Sequence, residues 1–134
     1  MTNEFIPYEE ALALKELGFN DECFGFYDDQ YNKDNGLYLN DSINLKGRFI
    51  YTKAPTFSQT FRWFRDEKSI SGEVYSGDFG GCIEYSFHIR DLYTEKEIFD
   101  NFFGAGGSYS GTFNTYEEAE LACLKKLIEI VKPK

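Results

Sequence analysis

Cys82–Arg90, CIEYSFHIR, is the stretch that decides the fold. Ile83, Tyr85, Phe87 and Ile89 alternate with Glu84, Ser86, His88 and Arg90. A period of two marks a β-strand with one face buried and the other turned to solvent or a ligand. Upstream, Glu73–Tyr75 reads as the other arm of a hairpin. The glycine-rich turn between them (Gly77, Gly80, Gly81) predicts a loop longer than a tight two-residue turn.

On the C-terminal side, Thr94 and Glu97 have capping-box spacing. Ile98 with Phe102 and Phe99 with Phe103 repeat at helical intervals, which predicts a short helix before Gly104. Gly104–Gly111 reads as a loop and Thr112–Phe113 as a brief strand. Thr115 with Glu118 then caps a final helix carrying Tyr116, Ala119, Cys123, Leu127 and Val131, closed by Pro133.

Towards the N-terminus, Pro7 suits the opening of a helix and Glu9 and Glu10 suit its positive end. Ala11, Leu12, Leu14 and Leu17 supply its apolar side, Gly18 a left-handed stop, and Phe19 packs back on the last turn. Cys23–Tyr27 and Leu37–Leu39 read as strands around an Asp/Asn-rich loop, and Arg48–Lys53 as another strand. After Pro55, the pair Thr56 and Gln59 predicts a helix from about Phe57 to Lys68, with Phe57, Phe61 and Phe64 on its inner side. The expected architecture is therefore α+β: a single domain over 1–134, a mainly antiparallel sheet with three to four helices on one side.

The chain has 134 residues, of which 14 Phe, 10 Tyr and one Trp are aromatic, yet its net charge is -9. So many rings exceed the needs of one small core and point to a partner or ligand, while the acidic surplus repels nucleic-acid backbone and anionic membranes. No direct nucleic-acid binding and no membrane association are expected; oligomeric state is not written in the chain, although exposed aromatic side chains are compatible with a homo-oligomer. Charge is unevenly spread. Residues 48–71 hold five basic and two acidic side chains, against three and ten over 1–47, and with 121–134 (four and one) they make the first of two basic islands in an acidic molecule. Cys23, Cys82 and Cys123 are scattered and odd in number, and Met1–Tyr8 is unlike a secretory leader, which predicts a cytoplasmic protein with reduced thiols.

Motifs of catalysis are missing. Counting back from Gly36 places Tyr31 and Lys33 where a calcium loop needs carboxylate or amide ligands, and Tyr109 replaces the third glycine of a dinucleotide fingerprint. One histidine and three dispersed cysteines give no zinc spacing. No cofactor, no metal and no enzymatic activity are expected. Glu84, His88 and Arg90 share a strand face that would suit acid–base chemistry, but such rows more often make cross-strand salt bridges. The order helix, strands, helix from Thr56 onward also resembles a double-stranded-RNA-binding domain. Its last helix, however, would open on Glu117, Glu118 and Glu120, which repel phosphate.

The best candidate ligand-binding surface is the first basic island itself: Arg48, Tyr51, Lys53, Arg62, Trp63 and Arg65. Guanidinium and ammonium groups would hold phosphate while Tyr51 and Trp63 stack on a base, and the surrounding negative field would exclude long polyanions. The plain alternative is that Arg62 pairs with Asp66 and Trp63 fills the edge of the core.

Ile6–Phe19 (IPYEEALALKELGF), Ala54–Arg65 (APTFSQTFRWFR) and Tyr116–Val131 (YEEAELACLKKLIEIV) together resemble a group of small uncharacterised proteins of Bacteroidetes-type bacteria and their phages. That resemblance carries no activity and no site residue. It implies a setting, a phage or prophage accessory protein in the host cytoplasm. Joined to the basic island, it suggests a non-enzymatic binder that sequesters a small phosphorylated nucleotide signal of host immunity. The alternative partner is a host defence enzyme whose nucleic-acid groove the acidic segments would occupy.

Overall fold

Pro7 starts the first helix as its fixed φ allows. In the computed structural model, which describes residues 4–28, 37–39, 51–79, 81–101 and 112–133, α1 runs Tyr8–Glu16. Gly18 then takes φ +102° and the Phe19 amide donates to the Leu14 carbonyl (3.0 Å), so the helix ends as its sequence predicts. Three strands follow: β1 (Gly25–Asp28), β2 (Leu37–Leu39) and β3 (Tyr51–Ala54). They form an antiparallel sheet in the order β2-β1-β3, and α1 packs against β3. Gly25 leaves little room there, because a Cβ would stand 3.0 Å from Phe5 Cε1 and 3.1 Å from Leu37 Cδ1, and either side chain would have to shift to admit one. The Asp/Asn-rich loop and Arg48 lie outside the described residues.

α2 (Phe57–Trp63) begins where the capping pair predicts, with the Gln59 amide donating to Thr56 Oγ1 at 3.1 Å. It passes into a π-helical turn, Phe64–Lys68, that closes on Ser69 in the left-handed region (φ 57°). The chain divides into two compact units, Met1–Thr60 and Phe61–Lys134, and the boundary falls within α2. The fold class is α+β as expected, with the strands shared between two three-stranded antiparallel sheets, one in each unit.

In the second unit β4 (Ile70–Phe79) and β5 (Cys82–Asp91) pair in unbroken register from Ile70↔Asp91 to Phe79↔Cys82. Only two residues separate the strands. The expectation of a longer loop is thus corrected: Gly81 adopts φ +92° and its amide donates to Asp78 Oδ1 (2.9 Å), which closes the turn tightly.

The helix expected from Thr94 is also corrected, to strand β6 (Glu97–Asp100), added antiparallel to β5. Asp91 Oδ1 accepts from the amides of Tyr93 (2.8 Å) and Thr94 (3.2 Å), and Glu95 takes φ 59°. These turn the chain back before a helix can start. Thr94 Oγ1 accepts from the Lys96 amide (3.3 Å) rather than capping a helix. Phe102 and Phe103, the expected helical partners of Ile98 and Phe99, and the Gly104–Gly111 loop lie outside the described residues. Phe113 does pair with Tyr85, each amide donating to the other's carbonyl (2.9 and 2.7 Å).

α3 (Tyr116–Val131) is capped by Thr115 Oγ1, which accepts from the Glu118 amide at 3.1 Å. It buries Ala119, Cys123, Leu124, Leu127 and Ile128, each large apolar side chain being worth about 1.5–3 kcal/mol of transfer free energy. Its partner is the apolar face of β4 and β5, and Gly72 makes the approach possible. A Cβ at Gly72 would lie 2.6 Å from Cys123 Sγ and 3.0 Å from Leu127 Cδ1. Among the described residues, no helix is long and apolar enough to cross a membrane.

Two stability predictions follow from α3. Gly72→Ala should cost about 1–3 kcal/mol in denaturant unfolding, and less in a Cys123→Ala background where Sγ no longer fills the space; equal costs in both backgrounds would contradict this packing. Burial, with Glu117 adding to it, raises the Glu120 carboxyl above its ordinary value. Folding therefore favours its protonated form: that contribution is present below the unfolded-state value and lost as pH rises through the folded one, leaving a penalty at neutral pH. Glu120→Gln should raise the Tm at neutral pH, with the gain shrinking in acid, as thermal melts across pH would register.

Candidate functional site

Alternation along β3 sends Thr52 and Ala54 into the interior and leaves Tyr51 and Lys53 half-buried on the other face. Sheet register places Phe26 opposite Lys53 and Asp28 opposite Tyr51. The Phe26 ring stacks on Tyr38 (centroids 5.6 Å, 26°) and meets Tyr51 edge-on (5.9 Å, 73°), so one sheet face carries a row of three aromatic rings beside an ammonium.

Residues distant in sequence fix the two cations of this region. Lys53 Nζ donates to the Asn20 carbonyl (3.0 Å) and to Asn20 Oδ1 (3.2 Å). An ammonium has three N–H donors, so Asn20 orients the group without exhausting it. Lys15 Nζ, at the end of α1, donates to the Tyr51 carbonyl at 3.3 Å. Gln59 Nε2 ties down the Glu22 carbonyl (2.7 Å).

Two cavities open here, and Tyr51 and Lys53 line both. The larger, about 330 Å³, is completed by Glu22, Cys23, Phe24, Gly25 and Phe26. The smaller, about 150 Å³, is completed by Ala11, Lys15, Phe19 and Asn20. Phe24 is 78% exposed at the rim, a large apolar surface that folding leaves uncovered. The larger cavity falls at the lower end of the range for small-ligand sites, roughly 300–1,000 Å³. Burial pushes the Cys23 thiol up to about 11, only partly offset by Lys53, so its thiolate is scarce at neutral pH.

Of the six residues expected to bind ligand, Tyr51 and Lys53 are brought together in the first unit, while Arg62, Trp63 and Arg65 belong to the second. Arg48 lies outside the described residues. Arg62 and Arg65 are exposed, and among the described residues neither makes an ion pair, Asp66 included. Trp63 requires a correction. Its side chain is only 6% exposed, packed edge-on against Phe64 (5.1 Å) with Lys68 Nζ over the ring (5.5 Å), so it offers no open face for stacking. Lys15, Asn20, Glu22 and Phe24 were not predicted. A basic and an acidic residue near one rim, joined only by tertiary structure, leave no local pattern to read.

On the polar face of the second sheet, His88 Nε2 lies 3.3 Å from Glu73 Oε2 and Nδ1 lies 3.2 Å from Glu97 Oε1. A general base needs a lone pair turned to its substrate, whereas both ring nitrogens here face carboxylates. The arrangement is a cross-strand polar row of the kind such a pattern ordinarily makes, and it becomes an ion pair when the ring is protonated. Among the described residues no group of three His, Cys, Asp or Glu side chains is disposed to hold a metal ion. The order α2, β4, β5, β6, α3 matches the helix, three strands, helix order considered above, but the first turn of α3 exposes Glu117 and Glu118. No family model, curated protein or solved structure matches the chain.

Thiol chemistry tests the geometry of the larger cavity. Cys82 is exposed, Cys23 is partly covered, and Cys123 is buried with its thiol pushed up to about 12. Alkylation followed by mass spectrometry should modify Cys82 first, Cys23 slowly and Cys123 last; Cys23 reacting as fast as Cys82 would contradict the description of this wall.

Proposed function

We propose that the protein is a non-enzymatic binding protein that takes a small phosphorylated aromatic ligand, of nucleotide type, at Tyr51 and Lys53. One observation carries this reading: the two residues line both of the cavities described above, with a second ammonium, Lys15, on the wall of the smaller. Lys53 would hold phosphate as a point charge, and Tyr51 and Phe24 would contact the base. Glu22 would accept from a sugar hydroxyl or an exocyclic amine. The acidic remainder of the chain supports selectivity for small anions, since repulsion grows with the number of phosphates a polyanion carries.

In the phage setting implied by the sequence resemblance, such a protein would act by sequestration, lowering the free concentration of a host signal without consuming it. Arg62 and Arg65 are left out of this proposal because they stand in the second unit.

Calorimetry with nucleoside monophosphates, cyclic oligonucleotides and ADP-ribose-like nucleotides tests it. Binding should weaken at least about tenfold, or roughly 1.4 kcal/mol, in Lys53→Ala and in Tyr51→Ala. No binding by any of these ligands, or binding untouched by both substitutions, would sink the proposal.

A further inference from the structure

Three strands meet at one imidazole. In the sheet register His88 of β5 stands between Glu73 of β4 and Asp100 of β6, and its two nitrogens reach Glu73 (3.3 Å) and Glu97 (3.2 Å). Tyr75 of β4 packs edge-on to the ring (5.7 Å) and its hydroxyl donates to Asp100 Oδ1 (2.9 Å), which props the imidazole from the side. The groups facing His88 are thus Glu73 and Tyr75 from β4, Glu97 and Asp100 from β6, and Arg90 along its own strand. α3 covers the opposite face, against Gly72 and the apolar row of β5.

Protonation changes what this ring can satisfy. A neutral imidazole has one N–H and one lone pair, so it donates to one carboxylate and turns a lone pair on the other. Imidazolium donates to both. The two carboxylates also differ in how firmly their strands are held: β4 shares ten register pairs with β5, whereas β6 shares three and carries a bulge at Ile89/Arg90.

We propose that His88 is a protonation-operated clasp that fastens the edge strand β6 to its sheet. With the proton bound, the ring bridges Glu73 and Glu97 across three strands. When the proton leaves, the bridge opens on the weaker side, at Glu97, and β6 loosens. The device lies wholly in the second unit and stands apart from the ligand site proposed for the first.

His88 is the single histidine of the chain, so its ring signals are unambiguous by NMR. The reporter is the Asn101 amide, which donates to the Phe87 carbonyl (3.0 Å) at the end of β6, and the reference is the Tyr85 amide, which donates to Phe113 (2.9 Å). Hydrogen-exchange protection, corrected for intrinsic rate, should fall roughly two- to fivefold at Asn101 as the His88 ring signals pass from the protonated to the neutral form, while Tyr85 holds constant. His88→Gln should remove that pH dependence. Glu97→Gln should remove it as well, because its amide can accept from an N–H or donate to a lone pair. Protection at Asn101 that ignores pH in the unmodified protein, or a pH dependence that survives in either variant, would overturn the clasp.

Discussion

Close approach of α3 to the β4–β5 hairpin at Gly72 is the constraint that organises the second unit. The absence of a side chain at that one position lets Cys123 and Leu127 sit on the strands, and Phe87 and Ile89 of the apolar row are buried on that face while Ile83 at its far end stays exposed. Because a strand alternates, committing one row to the helix commits the other row to the opposite face. Glu73, Tyr75, His88 and Arg90 are polar together for that reason, and the carboxylate contacts of His88 follow from the register that the helix enforces.

The same rule of alternation builds the candidate site of the first unit with a different outcome. Thr52 and Ala54 are drawn into the interior, so Tyr51 and Lys53 are left on the face where two cavities open. Their surroundings are only locally basic. On the proposed reading, a compact anion with an aromatic portion would gain from ammonium and ring contacts at short range, while a long polyanion would meet the net negative charge of the whole molecule. A modest cluster of cations can therefore discriminate by ligand size as well as by ligand charge.

How much of this was legible in the sequence varied with the range of the forces involved. Caps and alternation are local, and α1, α3, β5 and the start of α2 stood where Pro7, Gly18, Thr115, Thr56 and the Ile83–Ile89 row placed them. β4 was longer than its legible core, Glu73–Tyr75, because Ser71, Gly72 and Gly77 are poor strand formers that only pairing with β5 holds extended. β6 was misread because aromatic and apolar residues spaced by four serve a helix or a strand alike, and the turn made by Asp91 and Glu95 decided between them. Trp63 sits next to two exposed arginines in sequence, and only tertiary packing shows that its ring is covered. The walls contributed by Lys15, Asn20, Glu22 and Phe24 come from chain segments separated by about thirty residues or more from β3, a distance at which sequence spacing carries no geometric information.

The central claim is that the face of β3 bearing Tyr51 and Lys53 takes a small phosphorylated aromatic ligand. Amide chemical-shift mapping during titration with a nucleoside monophosphate tests it most directly. The account predicts shifts concentrated at Cys23–Phe26 and at Tyr51–Lys53, with Asn20 following as Lys53 reorients. Shifts centred on the strands around His88, or a spectrum unchanged at saturating nucleotide, would contradict it.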